Sequence, residues 1–231
     1  MLTLEALLLR QGDFRLEADW AMPAGGVTAI IGPSGAGKST LLSAIAGFLE
    51  PAAGDVIWNG ETLTRKLPSD RPVAMIFQDN NLFPHLDIRT NVVLGRTTAR
   101  RVPQEDLQAA DQALEDVGLS GMGSRKPAAL SGGQQSRAAL ARVLISDRPV
   151  ILLDEPFSAL GPALRSEMLE LTTKLAAARG ATILMVTHDP DDARRFADHV
   201  VFVDGGIAAA PQPTEALFAD PPPALATYLG I

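Results

Sequence analysis

The sequence predicts an α/β fold built on a mainly parallel β-sheet. Two observations lead to this prediction. Short apolar runs of strand length alternate with longer stretches in which apolar residues recur at helical spacing. One of these runs, Val27–Ile31, leads through a glycine-rich turn into a predicted helix that begins near Lys38. Strands that alternate with helices in this way form parallel sheets with helices on their faces.

The remaining elements follow in order along the chain. Two further strands, Gly54–Asn59 and Val73–Phe77, are predicted in the N-terminal half. Residues 85–145 are mainly helical, notably Gln104–Val117 and Gln135–Ile145. The C-terminal half returns to strands, with one helix between two of them and then a hairpin that turns at Asp204-Gly205. These elements are Val150–Leu153, Ala163–Ala178, Ala181–Thr187, Val200–Val203 and Gly206–Ala209.

Composition and charge exclude several classes of protein. The chain has 231 residues, 46% of them apolar, which suits one large domain or two small ones and excludes global disorder. Its 20 basic and 27 acidic residues give a net charge of −7, which argues against a nucleic-acid partner. Cysteine is absent, so disulfides, thiolate metal sites and cysteine nucleophiles are excluded. No apolar stretch approaches the roughly 18 residues that span a bilayer, so we expect membrane attachment only through a partner.

The turn after Val27–Ile31 has the pattern of a phosphate-binding loop (P-loop). Gly32 to Ser39 match G-x-x-x-x-G-K-[ST] between a strand and a helix; an ordinary glycine-rich turn is the alternative. Glycines let backbone amides wrap a phosphate, and the start of the helix adds partial positive charge. Lys38 adds a full charge for the β- and γ-phosphates, and the Ser39 hydroxyl can ligate Mg²⁺. The predicted nucleotide-binding residues are Gly32, Pro33, Ser34, Gly35, Ala36, Gly37, Lys38, Ser39 and Thr40.

Two adjacent carboxylates, Asp154 and Glu155, directly follow the apolar run Val150–Leu153. Such an acid pair at the end of a buried strand is unfavourable unless a cation lies beside it. The Mg²⁺ of a nucleotide supplies that cation, so Asp154 is the candidate metal partner. Because side chains alternate along a strand, we expect Glu155 to point to the opposite side and to polarise the water that attacks the γ-phosphate. The alternative is a solvated strand end that caps a helix at Pro156.

A second anion-binding pattern lies almost a hundred residues after the first. Leu130-Ser131-Gly132-Gly133-Gln134 precedes the helix Gln135–Ile145, which Ser131 can cap while the glycines leave its positive end open to an anion. With these motifs in this order, practically the whole chain resembles the ATP-binding subunits of ABC transporters, whose hallmark is the sequence LSGGQ. The resemblance implies that the signature residues of one copy contact the γ-phosphate held by the P-loop of a second copy. These signature residues are Ser131, Gly132, Gly133 and Gln134.

The resemblance also implies a fold and a domain organisation. It implies a P-loop NTPase core of the RecA-like type, with an N-terminal antiparallel β lobe and an inserted helical subdomain. We therefore expect one domain over residues 1–231. Within it, residues 1–84 and 146–231 form the nucleotide-binding α/β core, and residues 85–145 form the helical subdomain with the signature.

Further site residues follow from the resemblance. Gln78, at the end of Val73–Phe77, matches a glutamine that senses Mg²⁺ or the attacking water, and His188 matches a histidine that touches the γ-phosphate. Taken alone, each residue has a structural alternative: a polar residue at a strand end, and a structural histidine. The implied catalytic residues are Glu155, His188 and Gln78, with Ser39, Gln78 and Asp154 holding the Mg²⁺ of ATP. The other two histidines, His85 and His199, show no metal-ligand spacing.

Two positions depart from the family pattern. Gly161, in the loop Ser158-Ala159-Leu160-Gly161, stands where the family has an aspartate that helps to couple the two sites of a dimer. We therefore expect slower hydrolysis or altered coupling. The family also places an aromatic residue near residues 10–14 to stack on adenine. This chain offers Phe14, for which a place in the core of the first strand is the stronger expectation.

The resemblance extends to bacterial solute importers. It implies a peripheral protein on the cytoplasmic face of the inner membrane, bound to permease subunits and served indirectly by a periplasmic solute-binding protein. Leu82, Phe83 and Leu86 would form a groove for a permease helix, although we expect one or two of them to pack internally. Asn80-Asn81-Leu82-Phe83 and the stretch Leu229-Gly230-Ile231 resemble the thiamine importers. The alternatives are an importer of polyamines, sulfate or iron, and a non-transport ABC ATPase.

Overall fold

The N-terminal part of the chain forms an antiparallel β layer. The computed structural model describes residues 1–78, 81–99 and 101–231. β1 (Leu2–Gln11) and β2 (Phe14–Met22) form a hairpin, β4 (Ala53–Trp58) pairs with the other edge of β1, and β5 (Glu61–Thr62) extends the layer. Buried and exposed residues alternate along β2, which is typical of a strand with one face in a core. The predicted antiparallel lobe is confirmed.

A parallel sheet forms the centre of the molecule. Its strands pair in the order β9-β3-β8-β7-β6. They are β3 (Val27–Ile31), β6 (Val73–Ile76), β7 (Val150–Asp154), β8 (Thr182–Val186) and β9 (His199–Asp204). The predicted strand Val27–Ile31 has the bounds that the sequence indicates. β6 and β7 differ from their predicted bounds by one residue at one end, and β8 and β9 differ by one residue at each end.

Side chains of the parallel strands divide between two hydrophobic cores. On one side, Ile30 and Leu152 pack in a core that contains α1 (Lys38–Ala46) and the antiparallel layer. On the other side, Ile31 and Leu153 pack in a core that contains the helical region. Both faces of each strand are therefore buried, which explains why these strands read as continuous apolar runs.

The helical region is inserted between β6 and β7. Its helices are α2 (Ile88–Val93), α3 (Gln104–Asp116) and α4 (Gly132–Ile145), and no strand occurs among its described residues. α4 begins at Gly132, three residues before the predicted start at Gln135. The reason is a capping box: the Ser131 hydroxyl accepts from the Gln134 backbone N–H at 3.4 Å, and the Gln134 side chain accepts from the Ser131 N–H at 3.0 Å.

The C-terminal part completes both layers. Helices α5 (Pro162–Ala177) and α6 (Pro190–Phe196) connect the parallel strands, and β10 (Ile207–Ala208) joins β9 to β2. The elements that follow are β11 (Gln212–Pro213), α7 (Thr214–Ala219) and α8 (Pro223–Leu229). No helix that the structure describes is both long and apolar enough to cross a bilayer.

The predicted hairpin turn is displaced by one residue. Ile207 pairs with Asp204, so Asp204 belongs to the strand and the turn is Gly205-Gly206 instead of Asp204-Gly205. Both glycines have positive φ, 54° and 79°. A two-residue hairpin turn of the I′ type needs this conformation at both positions, and Asp204 does not have to adopt it.

Arg71 anchors the C-terminal end of α1. Its side chain is almost fully buried, and its Nη1 donates to the carbonyl oxygens of Ala44 and Ile45 at 2.8 and 2.9 Å. The other guanidinium nitrogens donate to the carbonyls of Thr64 and Lys66. The Ala44 carbonyl also accepts from the Gly47 N–H at 3.2 Å, so Arg71 adds a second donor there and supplies the donor for the buried Ile45 carbonyl. α1 is thus held at its end, while its start carries the P-loop.

Replacing Arg71 by Met is expected to lower the free energy of unfolding by about 3 kcal/mol, because it removes four hydrogen bonds and leaves the buried Ile45 carbonyl without a donor. Urea denaturation measures the change. Arg65→Met at a neighbouring exposed position is the control, with an expected change within about 0.5 kcal/mol. Equal stability of the two variants would show that the Arg71 hydrogen bonds do not hold α1.

Candidate active site

The parallel strands bring the predicted site residues to one edge of the sheet. β3 leads into the P-loop at Gly32, β6 is followed by Gln78, β7 ends at Asp154, and β8 is followed by His188. β7 and β8 end at the same level, because Asp154 pairs with Val186. In open α/β sheets, ligands bind outside the carboxyl ends of the strands.

Two glycines of the P-loop occupy positions that no other residue fits. Gly32 has φ 148°, and a Cβ atom there would lie 2.0 Å from the carbonyl oxygen of Val203. Gly37 has φ 103°, and a Cβ atom there would lie 2.4 Å from the ring of Phe14. The loop is therefore held close to β9 on one side and to β2 on the other.

The ammonium group of Lys38 lies inside the P-loop. Its Nζ donates to the carbonyl oxygens of Gly32 and Pro33 at 2.8 and 2.9 Å, and the side chain is 8% exposed. Burial lowers the pKa of Lys38, while the nearby carboxylates of Glu155 and Asp154 raise it. This arrangement places one cation beside two carboxylates at the point where phosphates are expected.

Ser39 and Asp154 form a pair of oxygen ligands. The Ser39 hydroxyl donates to Asp154 Oδ1 at 2.8 Å. Burial raises the pKa of the Asp154 carboxyl and Glu155 also raises it, whereas the Ser39 hydrogen bond and Lys38 lower it. A hydroxyl and a carboxylate oxygen fit Mg²⁺, which takes few protein ligands when nucleotide phosphates supply the rest. Among the described residues, no group of three or more His, Asp or Glu side chains could hold a metal ion without such help.

Glu155 lies beside His188. Its Oε2 is 3.1 Å from the Nδ1 of His188. Strand alternation does not extend to Glu155, because β7 ends at Asp154 and Glu155 has a φ of 45°, so its direction relative to Asp154 stays a prediction. Both carboxylates lie close enough to Lys38 to raise its pKa.

Gln78 is exposed, in the turn that follows β6 at the same edge of the sheet. Asp79 and Asn80, the next two residues, lie outside the described residues. The predicted stretch Asn80-Asn81-Leu82-Phe83 is therefore described from Asn81 onward.

The signature residues are not part of the P-loop pocket. Ser131 and Gly132 are exposed at the start of α4, and a Cβ atom on Gly133 would lie 2.7 Å from the Leu164 side chain on α5. The pocket at the P-loop contains no signature residue among the described residues that line it. Those residues are Gln11, Phe14, Ser34, Gly35, Gly37, Lys38, Ser39, Thr40 and Glu155.

Comparison with protein families matches residues 17–158, from β2 to just beyond the acid pair, to the family described as ABC transporter. The chain belongs to the ABC transporter family.

Relatives of this ABC chain align over nearly their full length. A protein of Cereibacter sphaeroides named thiamine import ATP-binding protein ThiQ is 60% identical over 230 residues, which is 100% of both chains. A protein of the same name from a Ruegeria species is 56% identical with the same coverage. A third, from Mesorhizobium japonicum, is 49% identical over 98% of this chain and 90% of the relative.

Solved structures confirm the fold. The ATP-binding cassette MJ1267 of an ABC transporter superimposes with a TM-score of 0.83 at 26% identity, over 96% of each chain. The ATP-binding cassette MJ0796, in a dimeric post-hydrolysis state bound to ADP and Pi, gives a TM-score of 0.78 at 29% identity, over 93% of this chain and 99% of that one. The predicted P-loop NTPase core with its β lobe and helical insertion is thereby confirmed.

Gly161, where the ABC family has an aspartate, is the N-cap residue of α5. It has φ −63° and ψ 156°, which any residue can adopt. Because glycine lacks a side chain, α5 has no side-chain hydrogen bond at its N-cap. A Cβ atom at Gly161 would meet no atom within 4 Å. The backbone here therefore does not require glycine, and the departure changes the chemistry of the loop without changing its path.

Phe14 belongs to β2, so the expectation that it lies in the first strand is wrong. The ring is half-buried, packs against the core of the β lobe and contacts Gly37 of the P-loop. One side of it lines the P-loop pocket beside Gln11. Stacking of adenine on Phe14 stays a prediction.

The candidate permease groove has one internally packed member. Leu82 packs against the helical core, Leu86 is half-buried, and Phe83 is 42% exposed, with its ring 6.0 Å from that of His85. One of the three leucine and phenylalanine side chains thus packs internally, as expected. The helical spacing predicts Phe48 on the apolar face of α1, which is wrong: α1 ends at Ala46, and Phe48 is 58% exposed just after the glycine cap, with its ring 5.7 Å from that of Phe77.

Sequence reasoning missed an ionic network behind His188. Arg165, in the first turn of α5, forms ion pairs with Asp189 and with Asp192, the latter at 3.3 Å. The Thr187 hydroxyl donates to Asp192 at 3.2 Å. The network links the loop of Gly161 to the residues on both sides of His188. The partners of Arg165 are 24 and 27 residues away in the sequence, so no local pattern indicates them.

Replacing Asp154 by Asn is expected to raise the free energy of unfolding of the nucleotide-free protein at neutral pH. Because burial raises the pKa of Asp154, the folded state keeps this proton to a higher pH than the unfolded state does. Unfolding of the parent therefore becomes more favourable as the pH rises above the usual value of 3.8, whereas the variant lacks this dependence. Urea unfolding of both proteins from about pH 4 to about pH 8 should show a stability difference that widens with pH. A variant less stable than the parent at neutral pH would contradict this.

Proposed function

We propose that this protein is the ATP-hydrolysing subunit of a bacterial importer and that two copies act together. One observation carries the proposal: the P-loop pocket holds Lys38, Ser39 and Glu155, whereas the signature at the start of α4 lies outside it. The glycine-rich start of a helix can bind an anion. In this chain, the start of α4 does not line the phosphate site formed by the P-loop of the same copy. A second copy, facing the first, supplies such a helix start to that phosphate site.

Binding of ATP relies on the P-loop. Its amides and the Lys38 ammonium contact the phosphates, and Lys38 exchanges its two carbonyl partners for phosphate oxygens. Ser39, Asp154 and Gln78 hold the Mg²⁺ that accompanies the nucleotide. When bound, this ion neutralises charge on the β- and γ-phosphates. Phe14 offers the adenine a partly exposed aromatic ring.

Hydrolysis relies on Glu155 and His188. The Glu155 carboxylate accepts a proton from the water that attacks the γ-phosphate. The Nδ1 of His188 hydrogen-bonds Glu155, so its other ring nitrogen, Nε2, is available to the γ-phosphate. Lys38 stabilises the negative charge on the transferred phosphoryl group. Ser131, Gly132, Gly133 and Gln134 of the second copy close the site over the same phosphate.

Coupling to transport relies on surfaces near Gln78. The exposed Phe83 and the half-buried Leu86, five and eight residues beyond Gln78, offer apolar side chains to a helix of a permease subunit at the cytoplasmic face of the membrane. A periplasmic solute-binding protein delivers the solute to that permease. The solute is thiamine or its phosphates, because relatives that are 49–60% identical are named for thiamine import. This chain never touches the solute.

Uptake by vesicles tests the proposal. The full chain is reconstituted with its permease and solute-binding protein, and ATP-dependent uptake of labelled thiamine is compared with that of spermidine, sulfate and ferric iron. We expect uptake of thiamine only, and none with Lys38→Ala, which lacks the charge that faces the phosphates. Uptake of another solute would refute the assignment to thiamine. Failure to associate with any permease would favour a non-transport ABC ATPase.

Glu155→Gln is expected to bind ATP, to hydrolyse it at least about 100-fold more slowly, and to accumulate as a dimer. Removal of the carboxylate stops proton transfer from water but leaves the P-loop intact. Phosphate release measures the rate, and light scattering with and without ATP measures the mass. Glu105→Gln, at an exposed position in the first turn of α3, is the control. Rapid turnover by Glu155→Gln would remove Glu155 from this role.

Gly161→Asp is expected to fold normally, with a free energy of unfolding higher by a few tenths of a kcal/mol, about 0.3, because aspartate caps α5 slightly better than glycine. The same change should raise the rate of ATP hydrolysis or alter its cooperativity, since it restores the group through which two sites communicate. Urea denaturation and ATP titrations of the rate measure the two effects. An unchanged rate and cooperativity would show that the departure at Gly161 is neutral.

A further inference from the structure

Tyr228 is the single tyrosine of the chain and lies on α8, the last helix. Its hydroxyl donates to the carbonyl oxygen of His188 at 3.3 Å. No motif indicates this contact, because the two residues are 40 positions apart in the sequence. The contact joins α8 to the segment that carries a proposed catalytic side chain.

The ring of Tyr228 is held firmly in place. Its centroid is 5.9 Å from that of Phe202 on β9, the strand that pairs with the P-loop strand β3. α8 itself is anchored by the fully buried Leu225 and by a left-handed glycine cap at Gly230. The packing of the ring and of α8 therefore restricts the position of the Tyr228 hydroxyl.

Tyr228 connects the His188 segment to the strand that precedes the P-loop. Its hydroxyl bonds the His188 carbonyl, and its ring contacts Phe202, which pairs with Ile31, the residue before Gly32. Burial raises the pKa of Tyr228, and a hydrogen bond from the backbone of Gly32 lowers it. The carboxylates of Asp189 and Glu155 raise it further. Tyr228 thus contacts the His188 segment through its hydroxyl and β9, the neighbour of the P-loop strand, through its ring.

His188 needs such support because its own side chain is 54% exposed. A ring with so little packing keeps its orientation mainly through the position of its backbone and through its contact with Glu155. A donor on the His188 carbonyl fixes that backbone directly. The ionic network holds Thr187 and Asp189, so loss of the donor would free only the His188 carbonyl between them and change the orientation of the His188 ring relative to Glu155.

We propose that Tyr228 is a positioning residue for ATP hydrolysis: its hydroxyl fixes the backbone of His188 relative to β9 and the adjoining P-loop strand β3, and thereby sets the contact between His188 and Glu155. The inference rests on the proposed function and deepens it. It predicts an effect on the rate of the chemical step and little effect on the binding of ATP.

The test separates the hydroxyl from the ring. Tyr228→Phe keeps the ring against Phe202 and removes the donor. Thr227→Ala, on the same helix, is the matched control, because it removes a hydroxyl that donates to the Pro223 carbonyl at 2.9 Å, away from the site. Steady-state hydrolysis of MgATP by the full chain gives kcat and KM, and thermal unfolding gives the stability of each variant.

We expect kcat of Tyr228→Phe to fall about three- to tenfold, the effect of losing one hydrogen bond, with KM for ATP and the unfolding temperature nearly unchanged. Thr227→Ala should match the parent in all three quantities. In NMR spectra, the ring signals of His188, assigned with His188→Ala, should shift in Tyr228→Phe, while those of His85 and His199 stay in place.

Each other outcome refutes a defined statement. An active parent with an equally active Tyr228→Phe refutes the positioning role, and so does a loss of kcat without a shift of the His188 signals. An equal loss in Thr227→Ala would show that only the stability of α8 matters. A parent that hydrolyses no ATP refutes the proposed function itself.

Discussion

The rest of the site depends on the attraction between the buried ammonium of Lys38 and the two carboxylates beside it. Asp154 and Glu155 are adjacent carboxylates at the end of a buried strand, an arrangement that is unfavourable without a nearby cation. Lys38 supplies that cation, and the carbonyls of Gly32 and Pro33 fix its position. The strand register then places the other site residues around the same point. The electrostatics of the site are therefore built into the main chain of the loop as much as into its side chains.

The parts of the site that depend on local spacing could be predicted from the sequence. The strand Val27–Ile31, the glycines that follow it and the helix start at Lys38 are all adjacent in the chain, and the structure places them as expected. The predicted start of α4, Gln135, lies three residues after the observed start, because a capping box at Ser131 brings Gly132 into the helix. Alternation along a strand does not apply to Glu155, because β7 ends one residue before it.

What the sequence could not indicate are contacts between distant residues. Nothing in the sequence distinguishes Arg71 from the other arginines, although its guanidinium donates to the carbonyls at the end of α1. The ion pairs of Arg165 and the hydroxyl contact of Tyr228 join segments 24 to 40 residues apart. Single-sequence periodicity reports which face of an element is apolar, and it carries no information on which polar groups meet.

The pairing of β3 has a consequence for how the protein is made. Both neighbours of this strand, β8 and β9, come from residues 182–204, whereas the antiparallel layer is complete by Thr62 apart from its link to β10. Contacts of such long range form late in folding. On the ribosome, the nascent chain therefore contains the complete P-loop sequence long before the strands that position this loop have been made. Nucleotide capture becomes possible only after residues 182–204, which supply both neighbours of β3, have been made.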